Sequence, residues 1–298
     1  QALRLVHARQ SFLLVGNFRS GKTSLARMLI HRLMAERAVS NRGVLAGCLD
    51  LQMCQQLTPQ SFLEHAVRAA CSEVGSQVFE AKWPILAAAD PFALRPELAE
   101  DTGFQELVEI VRQVRHRTAA GRDPDREDLD SEQFVLYIRD LTDIIRGRGW
   151  EDFLIVFDEA NRLPVDLSVD ILSRNMEALN ASGMISAYSV VPEAAALPAM
   201  RLLFSYQIEL RPFGSVGEIR DLIAMYWNEE RGDGADPPVT REAFERLWDH
   251  TKGSPYAVQV LAGESFTQAS RRGAASVELE HVEAGARHLL ASGHPAFM

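Results

Sequence analysis

Near the start of the chain, Gly16-Asn-Phe-Arg-Ser-Gly21-Lys22-Thr23 matches G-x-x-x-x-G-K-[ST] at every specified position. The two glycines permit a loop whose backbone N–H groups turn inward toward a phosphate chain. The helix that follows adds the positive end of its dipole. Lys22 is placed to reach β- and γ-phosphates, and the Thr23 hydroxyl is a ligand for Mg²⁺. Asn17, Phe18, Arg19 and Ser20 fill the loop between the glycines, and Ser24 lies in the first turn of the helix. A second pattern, Phe153-Leu-Ile-Val-Phe-Asp158-Glu159, is an apolar strand that ends in two carboxylates. Such charges are costly at the end of a buried strand unless they have partners or a task. Beside a phosphate loop, Asp158 would hold Mg²⁺ through water, and Glu159 would polarise a water for in-line attack on the γ-phosphate.

These residues need strands and helices to hold them. Ser11 to Val15 reads as a buried strand stopping at Gly16. Leu25, Met28, Leu29, Leu33 and Met34 recur at helical spacing from Lys22 to about Arg37. Gly43 to Leu51 reads as a second strand, and Thr58-Pro59 as the cap and first turn of a helix to about Val74. Residues 80–130 carry scattered prolines and charge clusters, which predicts an irregular insertion with one helix near 104–117. Asp130 to Gly147 is amphipathic, and Asp130-x-x-Gln133 has capping-box spacing. Phe153 to Phe157 reads as a strand buried on both faces. A helix over 167–181 and strands over 184–191 and 202–210 follow. After Pro212 the strand signals stop, and helices are predicted over 215–230, 240–250, 255–272 and 276–291. The expected fold is α/β: residues 1–212 as a core with a mostly parallel sheet, and 213–298 as a small all-helical domain.

Together the phosphate loop and the acidic strand end resemble the P-loop ATPases of the AAA+ and STAND (signal-transduction ATPase) group. Weaker similarities agree: Asp50-Leu51 at a strand end, Leu210-Arg-Pro212-Phe213 as a link into a lid, and Gly253-Ser-Pro255 opening a lid helix. The resemblance covers nearly the whole chain except roughly 80–130. It implies a three-layer core with a five-stranded sheet, binding of ATP or ADP with Mg²⁺, and Pro255 over the bound base. It places a polar sensor near Ser189, and an intersubunit arginine finger near Arg201, where an ordinary surface arginine is the reading preferred here. The chain departs from the pattern in the long gap between Lys22 and Asp158, in the valines after Ser189, and in a lid helix beginning Ser-Pro-Tyr-Ala without a sensor arginine. That last departure favours the STAND-like branch. The short segment before Gly16 leaves two readings open: Gln1 to Gln10 helps hold adenine, or the chain is a trimmed piece of a longer protein.

The 298 residues are 47% apolar and 24% charged, a composition for a globular chain and not for a disordered or collagen-like one. Lys and Arg number 31 against 41 Asp and Glu, a net charge of −10 that disfavours casual nucleic-acid binding. Cys48, Cys54 and Cys71 cannot pair evenly and form no C-x-x-C, so reduced thiols in a cytoplasmic protein are expected. No apolar run approaches a membrane span. Gly-x-Ser-x-Gly is absent, which leaves Ser-His-Asp catalysis without an anchor. Arg112, Arg115, Arg117, Arg122 and Arg126 form a dense basic stretch, but interleaved acids make a self-paired, solvated segment the simpler reading. His281 and His288 share a helix face without a third ligand and read as structural or exposed.

The leading expectation is an ATP-hydrolysing module that works as a nucleotide-dependent conformational switch. It would act as a homo-oligomer or with sensor and effector domains fused or supplied by partners. One alternative is a DNA-acting AAA+ ATPase, initiator-like or a transposition helper. The other is a nucleotide-binding scaffold without turnover.

Overall fold

The structure is a computed structural model and describes residues 1–40, 43–54, 57–81, 85, 87–119, 129–160, 164–231 and 236–297. In chain order the elements are α1 (Ala2–His7), β1 (Phe12–Val15), α2 (Lys22–Ser40), β2 (Val44–Asp50), α3 (Pro59–Val78), α4 (Pro91–Leu94), α5 (Thr102–Ala119) and α6 (Ser131–Arg146). They continue with β3 (Asp152–Asp158), α7 (Val165–Ser182), β4 (Ile185–Val190), α8 (Pro192–Ala195), α9 (Pro198–Leu203) and β5 (Gln207–Glu209). Last come α10 (Val216–Arg231), α11 (Arg241–Thr251), α12 (Pro255–Arg271) and α13 (Leu279–Ala291). Short 3₁₀ turns occupy Leu51–Met53 and Pro96–Leu98.

The five strands form one parallel sheet in the order β2-β3-β4-β1-β5. Every residue of β1 and β4 is buried, and β3 is buried from Phe153 onward. This is why those strands read as unbroken apolar runs: helices cover both faces of a parallel sheet. An aromatic column runs through the core. Phe62 of α3 lies 4.9 Å from Phe157 of β3, which stacks at 4.6 Å on Tyr188 of β4, and Phe204 meets Tyr188 edge-on at 5.2 Å. The column ties β3 and β4 to their covering elements just before the strand ends where Asp158 and Ser189 stand.

Local sequence explains most helix starts. Thr58 and Ser61 form a reciprocal capping box, with Pro59 in the first turn of α3. The Asp130 carboxylate accepts the Gln133 N–H at 2.7 Å, but the return half of that box does not form, since Gln133 Oε1 has no partner among the described residues. The stretch over 202–210 differs from expectation: Leu202 and Leu203 finish α9, and the strand is only Gln207–Glu209. Pro198 opens that helix in its first turn, a signal that the loose alternation further on obscured. Met28 is exposed although it fits the helical spacing of α2. The buried stripe of α2 runs through Lys22, Ala26, Leu29 and Leu33 instead. Within 80–130, α5 is no peripheral excursion. Phe104, Leu107, Val108, Val111 and Val114 join the same apolar cluster as Ile138 and Leu141 of α6.

The chain divides into two compact units, one comprising Gln1–Gly16 with Lys22–Glu209, the other Asn17–Gly21 with Leu210–Met298. The second has its own core of Ile219, Phe244, Leu247, Val258, Leu261, Val282 and neighbours. Gly253 is needed there. Its φ is +74°, and a Cβ would come within 2.4 Å of the Phe213 carbonyl oxygen, while the Phe213 N–H donates to the Gly253 carbonyl at 2.8 Å. The Pro212-Phe213 and Gly253-Ser-Pro255 segments, read separately in the sequence, are thus held together by this bond.

Candidate functional site

In the first unit the carboxyl ends of β1, β3 and β4 lie side by side because β1 is inserted between β4 and β5. The register pairs Leu14 with Ser189, Val15 with Val190, and Phe157 with Tyr188. Gly16, Asp158 and Ser189 therefore sit at or beside the same rim of the sheet. After β1 the chain leaves across β4 and β3 to reach β2, so the order of strands reverses at this rim. Open α/β sheets bind ligands outside strand carboxyl ends at such a reversal.

Lys22 is the first residue of α2, and the helix stripe that packs on the sheet carries it inside, 5% exposed. Its Nζ donates to the Gly16 carbonyl at 2.6 Å. Burial pulls its ammonium below the usual lysine range, and the Glu159 and Asp158 carboxylates act against that pull. Asp158 is 3% exposed, and its Oδ1 has no hydrogen-bond partner among the described residues. Glu159 has a φ of +60°, the left-handed region that a side chain seldom adopts. The backbone thus turns sharply at the end of β3. Ser189 is fully buried, and its Oγ likewise lacks a partner among the described residues. Thr23 is half-buried beside Lys22, and Ser24 is exposed.

The loop itself turns as its glycines demand. Gly21 has a φ of +93°, and Arg19 takes the left-handed region at +62°. The Ser20 N–H donates to the Asn17 carbonyl at 3.1 Å, and the buried Ser20 Oγ has no partner among the described residues. Asn17 and Phe18 are exposed. Within the second unit, Arg19 stacks over the Phe18 and Tyr256 rings at 5.0 and 4.9 Å, and a Cβ on Gly21 would lie 3.8 Å from Pro255 Cβ. Sequence reasoning passed over Tyr256; an aromatic just after Pro255 was the available signal.

These donors suit a polyphosphate and a hard cation. A buried carboxylate oxygen without a partner, a lysine brought in by a helix N-terminus and a threonine hydroxyl are what phosphate with Mg²⁺ requires. Asp158 and Thr23 would hold the cation, which would supply charge neutralisation at the phosphates.

The other candidates are exposed or serve the fold. Arg201 is exposed on α9. Arg112 stacks over Phe92 at 5.4 Å and Arg115 donates to the Ala88 carbonyl, so both hold their own segment. The Arg117 side chain, Arg122 and Arg126 lie outside what the structure describes. His281 is buried, and its Nδ1 accepts the Glu278 N–H at 3.0 Å in a capping box that starts α13. His288 pairs with Glu264 at 3.1 Å. All three cysteines are unbridged; burial pushes the Cys48 and Cys71 thiols up to about 12. No helix among the described residues is long and apolar enough to cross a membrane.

No protein-family model matches the chain, and no curated protein matches it. Solved structures do. The fold resembles that of an ORC1 protein. The Aeropyrum pernix ORC1 protein in complex with DNA superposes with a TM-score of 0.52 at 15% identity, over 97% of this chain and 63% of that one. This chain therefore spans less than two thirds of that protein's length, and at such identity the likeness is one of fold alone. The Drosophila ORC bound to DNA matches at a TM-score of 0.45 and 14% identity, over 96% of this chain and 61% of that one, too loosely for a structural argument.

Proposed function

We propose that this chain is an ATP-binding and hydrolysing module of the AAA+/STAND type that switches between nucleotide states. The observation that carries the reading is Asp158. It is a buried carboxylate whose Oδ1 is unpartnered among the described residues, on the rim shared with Lys22 and the end of the phosphate loop. A buried carboxylate with one oxygen left open is tolerated where a cation completes it. In this reading Gly16 to Ser24 hold the phosphates, and Thr23 and Asp158 hold Mg²⁺. Glu159 takes the proton of the attacking water, and Ser189 donates its hydroxyl toward the γ-phosphate. Pro255 belongs to the base-binding surface. Residues 1–212 are then the catalytic core and 213–298 the lid. ATP titration with and without Mg²⁺ tests the reading. Submicromolar to micromolar binding that requires Mg²⁺ and vanishes in Lys22→Ala supports it, and equal binding by both proteins overturns it.

A DNA-acting ATPase is the second reading, and the fold shared with a DNA-bound ORC1 protein favours it. The chain's net charge of −10 does not decide against it, because contact depends on the local field and not on the total. An ATP-dependent, salt-sensitive mobility shift of duplex DNA would support this reading, and no shift at low salt would remove it.

A further inference from the structure

The parallel sheet has two edges, and they are managed differently. β5 is only three residues long, whereas β2 offers seven. A long edge presents unpaired N–H and C=O groups that another chain can join. On β2 two of these groups are taken by side chains of α3. Gln77 Nε2 donates to the Ala46 carbonyl at 2.8 Å, and the Glu73 side chain lies against Gly47 with its carboxylate turned toward the Cys48 N–H. Gln77 Nε2 also donates to Glu73 Oε2 at 2.6 Å, which locks the two together one helical turn apart.

This arrangement reproduces a missing strand. In a parallel ladder, a residue placed opposite Gly47 would donate its N–H to the Ala46 carbonyl and accept the Cys48 N–H. Gln77 supplies that donor and Glu73 that acceptor. Gly47 makes the fit possible, since a Cβ there would lie 2.3 Å from Glu73 Cγ. Burial pushes the Glu73 carboxyl up, and its bonds from Gln77 and the Cys48 N–H pull it back. Past this pair the edge has room for more chain: a cavity of about 510 Å³, lined by Cys48, Asp50, Met53, His65, Arg68 and Glu73, runs along the carboxyl half of β2.

We propose that Glu73 and Gln77 form a guard that closes the β2 edge to strand addition, and that its removal lets the β2 strands of two copies of this chain pair. An antiparallel partner is blocked as well as a parallel one, because both need the Ala46 carbonyl and the Cys48 N–H. The guard is independent of nucleotide chemistry, so it stands or falls apart from the proposed ATPase function.

The test is amide hydrogen exchange and sedimentation of the nucleotide-free chain. In the double variant E73A/Q77A, the Cys48 amide should exchange at least tenfold faster at low concentration. A dimer should then grow with concentration and restore protection at residues 46–48. E73Q retains one oxygen for the Cys48 N–H but cannot also accept from Gln77. Its Cys48 exchange should therefore fall between wild type and the double variant, and exchange as fast as the double variant counts against the guard. Gly47→Ala displaces Glu73 without deleting it and should move in the direction of the double variant. Wild-type exchange and sedimentation in a folded E73A/Q77A overturn the guard, as does association without renewed protection at 46–48. If the double variant does not fold, Gly47→Ala and Q77A decide by the same readouts, and wild-type behaviour in both overturns it.

Discussion

Buried polar side chains are treated differently in two regions of this molecule. In the helical segment 210–298, each has a local task. The Thr251 hydroxyl donates to the Leu247 carbonyl at 2.7 Å, the Ser265 hydroxyl to the Leu261 carbonyl at 2.6 Å, and His281 caps its own helix. At the carboxyl rim of the sheet, Asp158 Oδ1 and Ser189 Oγ are buried and lack partners among the described residues. The contrast is not one of unit against unit, because Asn175 and Ser182 on α7 close onto carbonyls of their own helix at 2.9 and 2.6 Å. It is sharpest at the strand ends, although single atoms elsewhere, Gln77 Oε1, Gln133 Oε1 and His281 Nε2, are also buried without hydrogen-bond partners among the described residues. An unsatisfied buried group costs about 1–3 kcal/mol, so Asp158 Oδ1 and Ser189 Oγ at one rim carry a cost that the proposed nucleotide and cation would offset.

Mutations can break this comparison. The largest effect is expected at the rim. Lys22→Ala should weaken ATP binding by more than about 100-fold while leaving the circular dichroism spectrum unchanged, since the loss falls on the phosphate contact. Calorimetric titration measures this, and a folded variant that binds ATP normally would remove Lys22 from the site. Glu159→Gln should keep ATP affinity and lower turnover by about 10²–10⁴-fold, the range of a general base. Phosphate release follows it, and turnover at the wild-type rate would disprove the role. In the helical unit the largest effect is structural. Gly253→Ala meets both a positive φ and the Phe213 carbonyl, and should lose on the order of 3 kcal/mol in denaturant melts.

The smallest effects sharpen the contrast most. Ser265→Ala deletes a hydroxyl that has a partner and should lose about 1 kcal/mol of stability. Ser189→Ala deletes one that has none among the described residues, and should leave stability unchanged or slightly raised while ATP turnover falls. Equal destabilisation by both substitutions would show that the rim and the helical interior obey one rule.

Much of the fold was legible in the chain because its signals are local. The phosphate loop, the apolar run before Asp158, the Thr58-Pro59 start and the helices after Pro212 all depend on neighbours a few residues away. The places that misled were those where local pattern competes with packing. Met28 fits the helical spacing of α2, yet the helix rotates to bury Lys22 and Ala26 in the stripe that faces the sheet. Residues 202–210 alternate loosely, as a strand would, but Pro198 had already begun a helix that takes in Leu202 and Leu203. The proline-rich stretch 80–130 read as an irregular insertion, because nothing local reveals that Phe104 and Val111 join the same apolar cluster as Ile138. At the candidate site, the residue types of the loop and of Asp158-Glu159 were readable. That Asp158 Oδ1 and Ser189 Oγ are buried without partners was not.

The amino-acid sequence alone determined the elements and the chemistry that a phosphate loop and an acidic strand end can perform, since turn-forming glycines and hydrophobic periodicity act over a few residues. Only the tertiary structure decided which strand ends share a rim, because the order β2-β3-β4-β1-β5 arises from pairings between segments far apart in the chain. It alone also decided that Glu73 and Gln77 would lie across Gly47 at the sheet edge. Helix period sets those two side chains one turn apart, but which backbone they meet depends on how α3 docks on β2, and no local pattern carries that.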